Sequence, residues 1–172
     1  MTRVAINGFG RIGRAFFRLA VENKDVEVVA INDLADIENL AYLLKYDSAY
    51  GAAQFKIETD KNKNIFLVAS REIKFVSEKD PQKLPWKDLD IDVVVESTGV
   101  FASFEKSKVH LDAGAKRVVI TAPANDTGGE TILMGINEKA LEDCKISSNA
   151  SCTTNAGSPV VEILRNTIGI EK

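Results

Sequence analysis

The sequence predicts an α/β domain built on a doubly wound, mostly parallel sheet with a small antiparallel excursion. Three observations carry that prediction. Short apolar runs alternate with helix-period stretches along the chain. Several of those runs, such as Val93 to Val95 and all but Glu27 of Val26 to Ile31, are apolar without alternation, as strands covered on both faces require. The first run leads into a glycine cluster, a helix and a second run, the order of a β-α-β unit.

Arg3-Val4-Ala5-Ile6-Asn7 is the first strand and runs directly into Gly8-Phe9-Gly10-Arg11-Ile12-Gly13. A helix over Arg14 to Glu22 follows, with Phe16, Phe17, Leu19 and Ala20 on its apolar face. Val26 to Ile31 is the second strand and closes on Asn32-Asp33, with Asp33 twenty positions after Gly13. Each part has a physical task in a Rossmann-type unit. Gly8 makes the tight turn, Gly10 lets backbone approach a pyrophosphate, and Gly13 lets the helix pack close to the strand. The helix N-terminus holds the phosphates, and Asp33 accepts hydrogen bonds from a ribose diol. A carboxylate at that place repels a 2′-phosphate, and Leu34 and Ala35 bring no positive charge, so the cofactor predicted is NAD and not NADP.

Asp36 to Tyr46 reads as an amphipathic helix N-capped by Asp36, with Ile37, Leu40, Ala41 and Leu44 on one face. Tyr46 to Gly51 breaks it. Three β-type runs, Phe55 to Ile57, Ile65 to Val68 and Ile73 to Val76, turn at Lys61-Asn62-Lys63-Asn64 and form the antiparallel excursion beside the main sheet. Pro81 to Leu89 is a loop with one helical turn in which Trp86 is a packing residue. Asp92 to Glu96 is a strand ending at Ser97-Thr98-Gly99-Val100-Phe101, and ligands of doubly wound sheets sit at such carboxyl ends. Ser103 to Ala113 is a helix stopped by Gly114, and Arg117 to Ile120 is a strand ending at Thr121-Ala122-Pro123. After a polar loop, Ile132 to Met134 and Lys145 to Ser147 are the last strands, with a short helix over Asn137 to Asp143 between them.

At Asn149-Ala150-Ser151-Cys152-Thr153-Thr154-Asn155 a cysteine stands among hydroxyl and amide side chains, between a strand and a helix. A helix N-terminus favours the thiolate, the nucleophilic form, and Ser151, Thr153 and Asn155 offer hydroxyls and an amide to a carbonyl or phosphate. Ser158-Pro159 is a competing start signal that would place the helix beginning beyond the cysteine.

Composition bounds the alternatives. The 172 residues, 45% apolar, suit one medium domain. With 22 basic and 25 acidic residues, a net charge of −3 and no basic stripe, neither nucleic acid nor an anionic membrane is expected as main partner. Cys144 and Cys152 have no metal or disulfide spacing, and neither a signal-like start nor a membrane-length apolar run occurs, so a cytoplasmic protein is expected. His110, the one histidine, reads as solvated or structural amid Lys106, Lys108 and Asp112. Cys144 reads as a small buried hydrophobe, and Glu58, Asp60, Glu72 and Glu78 as surface charges of the excursion.

INGFGRIGR at the start, NDL at Asn32 to Leu34, LLKYDS at Leu43 to Ser48, STGVF at Ser97 to Phe101 and SNASCTTN at Ser148 to Asn155 together resemble glyceraldehyde-3-phosphate dehydrogenase. The resemblance runs the length of the chain. It implies residues 1–150 as the NAD-binding domain, and residues 151–172 as the nucleophile cysteine and the start of a catalytic domain. It implies that Cys152 attacks the aldehyde of glyceraldehyde 3-phosphate, that NAD takes the hydride, and that inorganic phosphate releases an acyl phosphate. It further implies Arg11 and Ile12 at the pyrophosphate, Asp33 at the adenosine ribose, and Thr98, Gly99, Phe101 and Thr121 along the cofactor groove. Ser151 and Thr153 would hold a phosphate, and the last helix would begin at Cys152. A homotetramer of glycolysis and gluconeogenesis is the setting implied.

The family's histidine base, substrate-binding arginine and second half are expected beyond Lys172, so these residues alone are expected to bind NAD weakly, to turn nothing over and to expose an apolar patch. Ala156 stands where a second cysteine is usual, and Ser77-Glu78-Lys79 where the family has Ser-Glu-Arg. Lys79 keeps the charge at the adenine side but loses the planar fork. Oxidation of erythrose 4-phosphate is the neighbouring reading, and a non-catalytic dinucleotide-binding module is the alternative of another class.

Overall fold

The computed structural model describes residues 1–171. Strand β1 (Thr2–Asn7) leads through Gly8-Phe9-Gly10 into helix α1 (Arg11–Glu22), and β2 (Val26–Asn32) returns beside β1. Helix α2 (Ile37–Lys45) begins at Asp36, whose carboxylate accepts from the Glu38 and Asn39 N–H groups as an N-cap. Two-residue strands β3 (Tyr46–Asp47) and β4 (Gly51–Ala52) then pair antiparallel about an Asp47 side-chain turn. Next come β5 (Ile57–Asp60), β6 (Ile65–Val68) and β7 (Arg71–Val76), a 3-10 turn at Pro81–Lys83, and β8 (Val93–Glu96). Helix α3 (Phe104–Asp112) has Ser103 as its N-cap. Strand β9 (Arg117–Ile120), β10 (Glu130–Thr131), a 3-10 turn at Glu138–Leu141, β11 (Ile146–Ser148) and helix α4 (Cys152–Thr167) complete the order.

Nine strands form one sheet in the order β10-β11-β9-β8-β1-β2-β7-β6-β5. Its pairs are parallel from β10 to β7 and antiparallel beyond. The excursion therefore extends the main sheet: β7 pairs parallel with β2 and antiparallel with β6. The main sheet's face carries it, because Phe66, Val68, Ile73 and Phe75 join Phe9, Phe17, Ile31 and Leu44 in one buried cluster. On the opposite face Ala5, Ala30 and Val94 pack against Trp86, Leu84 and Ala115. A third cluster seats Phe104 of α3 on Val118, Ile120 and Ile146. Strand side chains alternate between faces, and the small alanines on one face leave room for the indole.

The structure moves two strand boundaries, starts α1 at Arg11 and not at Arg14, and settles the start of α4. Phe55 precedes β5, and the strand starts at Ile57. Ile132 to Met134 is not a strand: Asn137 Oδ1 accepts from the Leu133 N–H at 2.8 Å and turns the chain there, so the pairing residues are Glu130 and Thr131. Helix α4 begins at Cys152 and runs through Pro159, which answers the competing start signal. Pro159 lacks an N–H and costs the helix one bond, and the remaining turns carry it across.

Candidate functional site

The cleft lies where the chain departs from β1 toward β2 on one side and places β8 on the other, the switch point of a doubly wound sheet. Its volume is about 410 Å³. Gly8, with φ +92°, makes the turn above β1, and a Cβ there would lie 2.6 Å from the Thr98 backbone nitrogen. A Cβ on Gly13 would lie 2.2 Å from the Gly8 carbonyl oxygen, so α1 crosses this loop without room for any side chain. Gly10 is different. Nothing lies within 4 Å of its Cβ position, and Gly10 itself lines the cleft. Gly10 caps α1 without a side-chain bond, and no acidic residue stands in the first turn. Its leading N–H groups thus remain open to an anion.

Asp33 lies at the end of β2. One carboxylate oxygen accepts from the Phe9 N–H at 2.7 Å, the other from the Ala35 N–H at 2.9 Å. The side chain is thereby held toward the cleft, with lone pairs left for a diol. Across from it stand Glu78, Lys79 and Pro81 of the loop after β7, with Leu34 beside Asp33. Ser97, Thr98, Val100 and Phe101, beyond β8, close the remaining side.

Of the residues expected at the cofactor, Gly8, Gly10, Asp33, Lys79, Thr98 and Phe101 line this cleft. Arg11 and Ile12 are exposed in the first turn of α1, next to it. Gly13 serves packing, and Gly99, with φ +76°, serves the turn after β8. Thr121 ends β9, where its hydroxyl donates to the Glu96 carbonyl at 3.1 Å. Glu78, expected among surface charges, is half-buried and lines the cleft.

Sequence reasoning missed the floor. Asn7, Asn32 and Glu96 are buried and stand in register at the ends of β1, β2 and β8. Asn32 Nδ2 donates to Asn7 Oδ1 at 2.7 Å, and Asn7 Nδ2 donates to Glu96 Oε2 at 2.6 Å. Burial pushes the Glu96 carboxyl up, but hydrogen bonds from His110, Thr98 and Asn7 outweigh it and hold the group below the ordinary carboxylate range. His110 is fully buried: Trp86 Nε1 donates to its Nδ1 at 3.1 Å, and its Nε2 lies 3.0 Å from Glu96 Oε2. The solvated alternative for this histidine is excluded, because α3 turns it inward against β8. A signal existed: three buried strands each close on a polar residue.

Cys152 is exposed at the first position of α4. Ser151 caps that helix, its hydroxyl accepting from the Thr154 N–H at 3.0 Å and bonding the Thr153 and Thr154 hydroxyls at 2.8 and 2.7 Å. Asn155 Nδ2 donates to the Asn149 carbonyl at 2.6 Å, fastening the turn from inside. Ala150 takes a left-handed φ of +56° to bring the chain from β11 into α4. Cys152, Ser151 and Thr153 stand apart from the residues lining the cleft. Cys144 is buried, as expected, its thiol donating to the Ile146 carbonyl. Among the described residues no cluster of metal-binding side chains occurs, and no helix is long and apolar enough to cross a membrane.

Residues 2–104 match the family model described as glyceraldehyde 3-phosphate dehydrogenase, NAD binding domain. The glyceraldehyde-3-phosphate dehydrogenase of Thermotoga maritima is 53% identical over 99% of this chain and 51% of its own length. That of Mycoplasma pneumoniae is 48% identical over 98% of this chain and 50% of its own. Glyceraldehyde-3-phosphate dehydrogenase 1 of Bacillus cereus is 45% identical over 100% and 51%. The chain spans about half the length of these curated relatives.

Proposed function

The chain belongs to the glyceraldehyde-3-phosphate dehydrogenase family, and from that premise we propose that it is the NAD-binding half of a phosphorylating aldehyde dehydrogenase with Cys152 as nucleophile. The observation that carries the reading is the pairing at the cleft: an uncapped α1 N-terminus beside an Asp33 carboxylate held by the Phe9 and Ala35 N–H groups. The first takes the pyrophosphate with Gly8, Gly10, Arg11 and Ile12 around it, and the second takes the ribose diol. Lys79 faces the adenine side, and Thr98, Gly99, Phe101 and Thr121 lie along the path of the other half of the dinucleotide. NAD supplies the hydride acceptor when bound.

The sulfur of Cys152 adds to the aldehyde carbon of glyceraldehyde 3-phosphate: a C–S bond forms, the C=O π bond opens, and the oxygen takes up a proton to become a hydroxyl. Once that carbon has lost a hydride and the hydroxyl its proton, the thioester transfers its acyl group to an oxygen of inorganic phosphate and the thiolate leaves. The first-turn N–H groups of α4 face the charge on sulfur, and the exposed Thr153 hydroxyl reaches a phosphate more freely than Ser151, whose oxygen already serves the helix cap. His110 is too deeply buried to serve Cys152 as base, which favours a cofactor-binding role without turnover for these residues by themselves.

Residues 1–150 are then the cofactor domain, and residues 151–172 open the catalytic one. Helix α4 has no buried residue, and Val160, Val161, Ile163 and Leu164 are exposed along it. That apolar face suits the remainder of a protein twice this length. The setting that fits is a homotetramer in the cytoplasm, working in glycolysis and gluconeogenesis.

Calorimetric titration of the chain with NAD and with NADP tests the reading. Saturable NAD binding with NADP at least about tenfold weaker is expected, and Asp33→Ala should bring the two together. Equal binding of both by the native chain would remove Asp33's role.

A further inference from the structure

Five side chains run beneath the cleft in one continuous hydrogen-bonded row, from Trp86 through His110 of α3, Glu96 and Asn7 to Asn32 at the end of β2. Its direction is fixed at both ends. At one end the Trp86 indole can only donate, so His110 Nδ1 accepts and the neutral ring keeps its proton on Nε2, facing Glu96 Oε2 at 3.0 Å. At the other end the Glu78 backbone N–H donates to Asn32 Oδ1 at 2.9 Å, which turns Asn32 Nδ2 toward Asn7 Oδ1 at 2.7 Å and the Glu78 carbonyl at 3.0 Å. Asn7 Nδ2 must then face Glu96 Oε2, and does so at 2.6 Å. The second carboxylate oxygen accepts from the Thr98 N–H at 2.8 Å and from the Thr98 hydroxyl. The donors of Asn7, Thr98 and His110 converge on one buried carboxylate.

We infer that Glu96 is the positioning residue of the cofactor cleft: its carboxylate, with the Nε2–H of His110 opposite, sets Thr98 on one wall and, through Asn7 and Asn32, the loop carrying Glu78 and Lys79 on the other. The inference rests on the reading of this cleft as the NAD site. Neither Glu96 nor His110 lines the cleft, so neither touches the cofactor; Asn7, Asn32, Glu78 and Thr98 do line it. Strand order makes the coupling possible. β8, β1, β2 and β7 are neighbours, so each polar end reaches the next without a gap. An uncharged amide cannot replace the hub, because either orientation of a Gln side chain turns an NH₂ toward existing donors.

The test compares Glu96→Gln, His110→Gln and His110→Asn in this chain. Gln at 110 extends an amide N–H to the place of Nε2, whereas Asn reaches only the place of Nδ1. NAD affinity, corrected for folded fraction, is expected to fall about tenfold in Glu96→Gln and His110→Asn and to stay within about threefold in His110→Gln. The backbone N–H of Glu78 should exchange with solvent about tenfold faster in the first two and as in the native chain in the third. A purely structural role would lower melting temperature in all three with no such ordering. Unchanged affinity in a folded Glu96→Gln, or equal losses in both His110 variants, would overturn the inference. If Glu96→Gln does not fold, the two His110 variants decide. If the native chain binds no NAD, the cofactor reading fails, and Glu78 exchange alone then upholds or overturns the positioning role.

Discussion

Two helix N-termini in this molecule, those of α1 and α4, are built in opposite ways. Helix α1 starts on a glycine with no side-chain cap, and its first turn is set by contacts from outside the helix: Gly8 against Thr98, Gly13 against Gly8. Helix α4 starts on Ser151, which caps it through Thr154, and Asn155 ties the turn to Asn149, so its first turn is set by its own side chains. Packing holds the first; local hydrogen bonds hold the second.

The comparison breaks most readily at the glycines. Gly13→Ala and Gly8→Ala each drive a Cβ into backbone, and Gly8 adds a left-handed φ, so a loss of about 3 kcal/mol or more is expected in denaturant unfolding. Gly10→Ala, with open space at its Cβ, should fold as the native chain does while losing NAD affinity, seen by calorimetry. If Gly10→Ala unfolded too, the distinction between packing and ligand glycines would fall.

Glu96 sharpens the buried side. Its folded carboxyl is held below its ordinary value of 4.5, so the stabilisation it gives is full above that pH and is lost as pH falls through the lower folded value. Glu96→Gln is therefore expected to cost roughly 2 kcal/mol at neutral pH and to flatten the acid limb of a melting-temperature profile. On the other side, Ser151→Ala should cost about 1 kcal/mol and only locally, as faster amide exchange in the first turn of α4 with the main melting transition unmoved. Iodoacetamide should modify exposed Cys152 ahead of buried Cys144, mapped by mass spectrometry, and this order should survive the Ser151 change.

What the sequence disclosed follows the same divide. The glycine loop, Asp33 and the Asp36 cap were legible because each depends on residues within one turn or one β-α-β unit, whereas at the start of α4 local signals competed and the family resemblance pointed to Cys152. The row Trp86, His110, Glu96, Asn7 and Asn32 was not, since its members lie far apart along the chain and meet only once the strands are in register. His110 sits among charged neighbours on its own helix, and only the tertiary fold turns it inward. The strand boundary near Ile132 slipped for a related reason: the Asn137 side chain decides which residues pair.

Ala150, buried and left-handed at φ +56°, is the corner between β11 and α4. A helix of 16 residues is about 24 Å long, so a 10° swing about that residue would carry its far end through about 4 Å. Cys152, two residues from the corner, would move only about 1 Å. The distal apolar stripe thus sits on a long arm, where a small change of helix direction is large, while the sulfur lies close to the corner, where the same change is small.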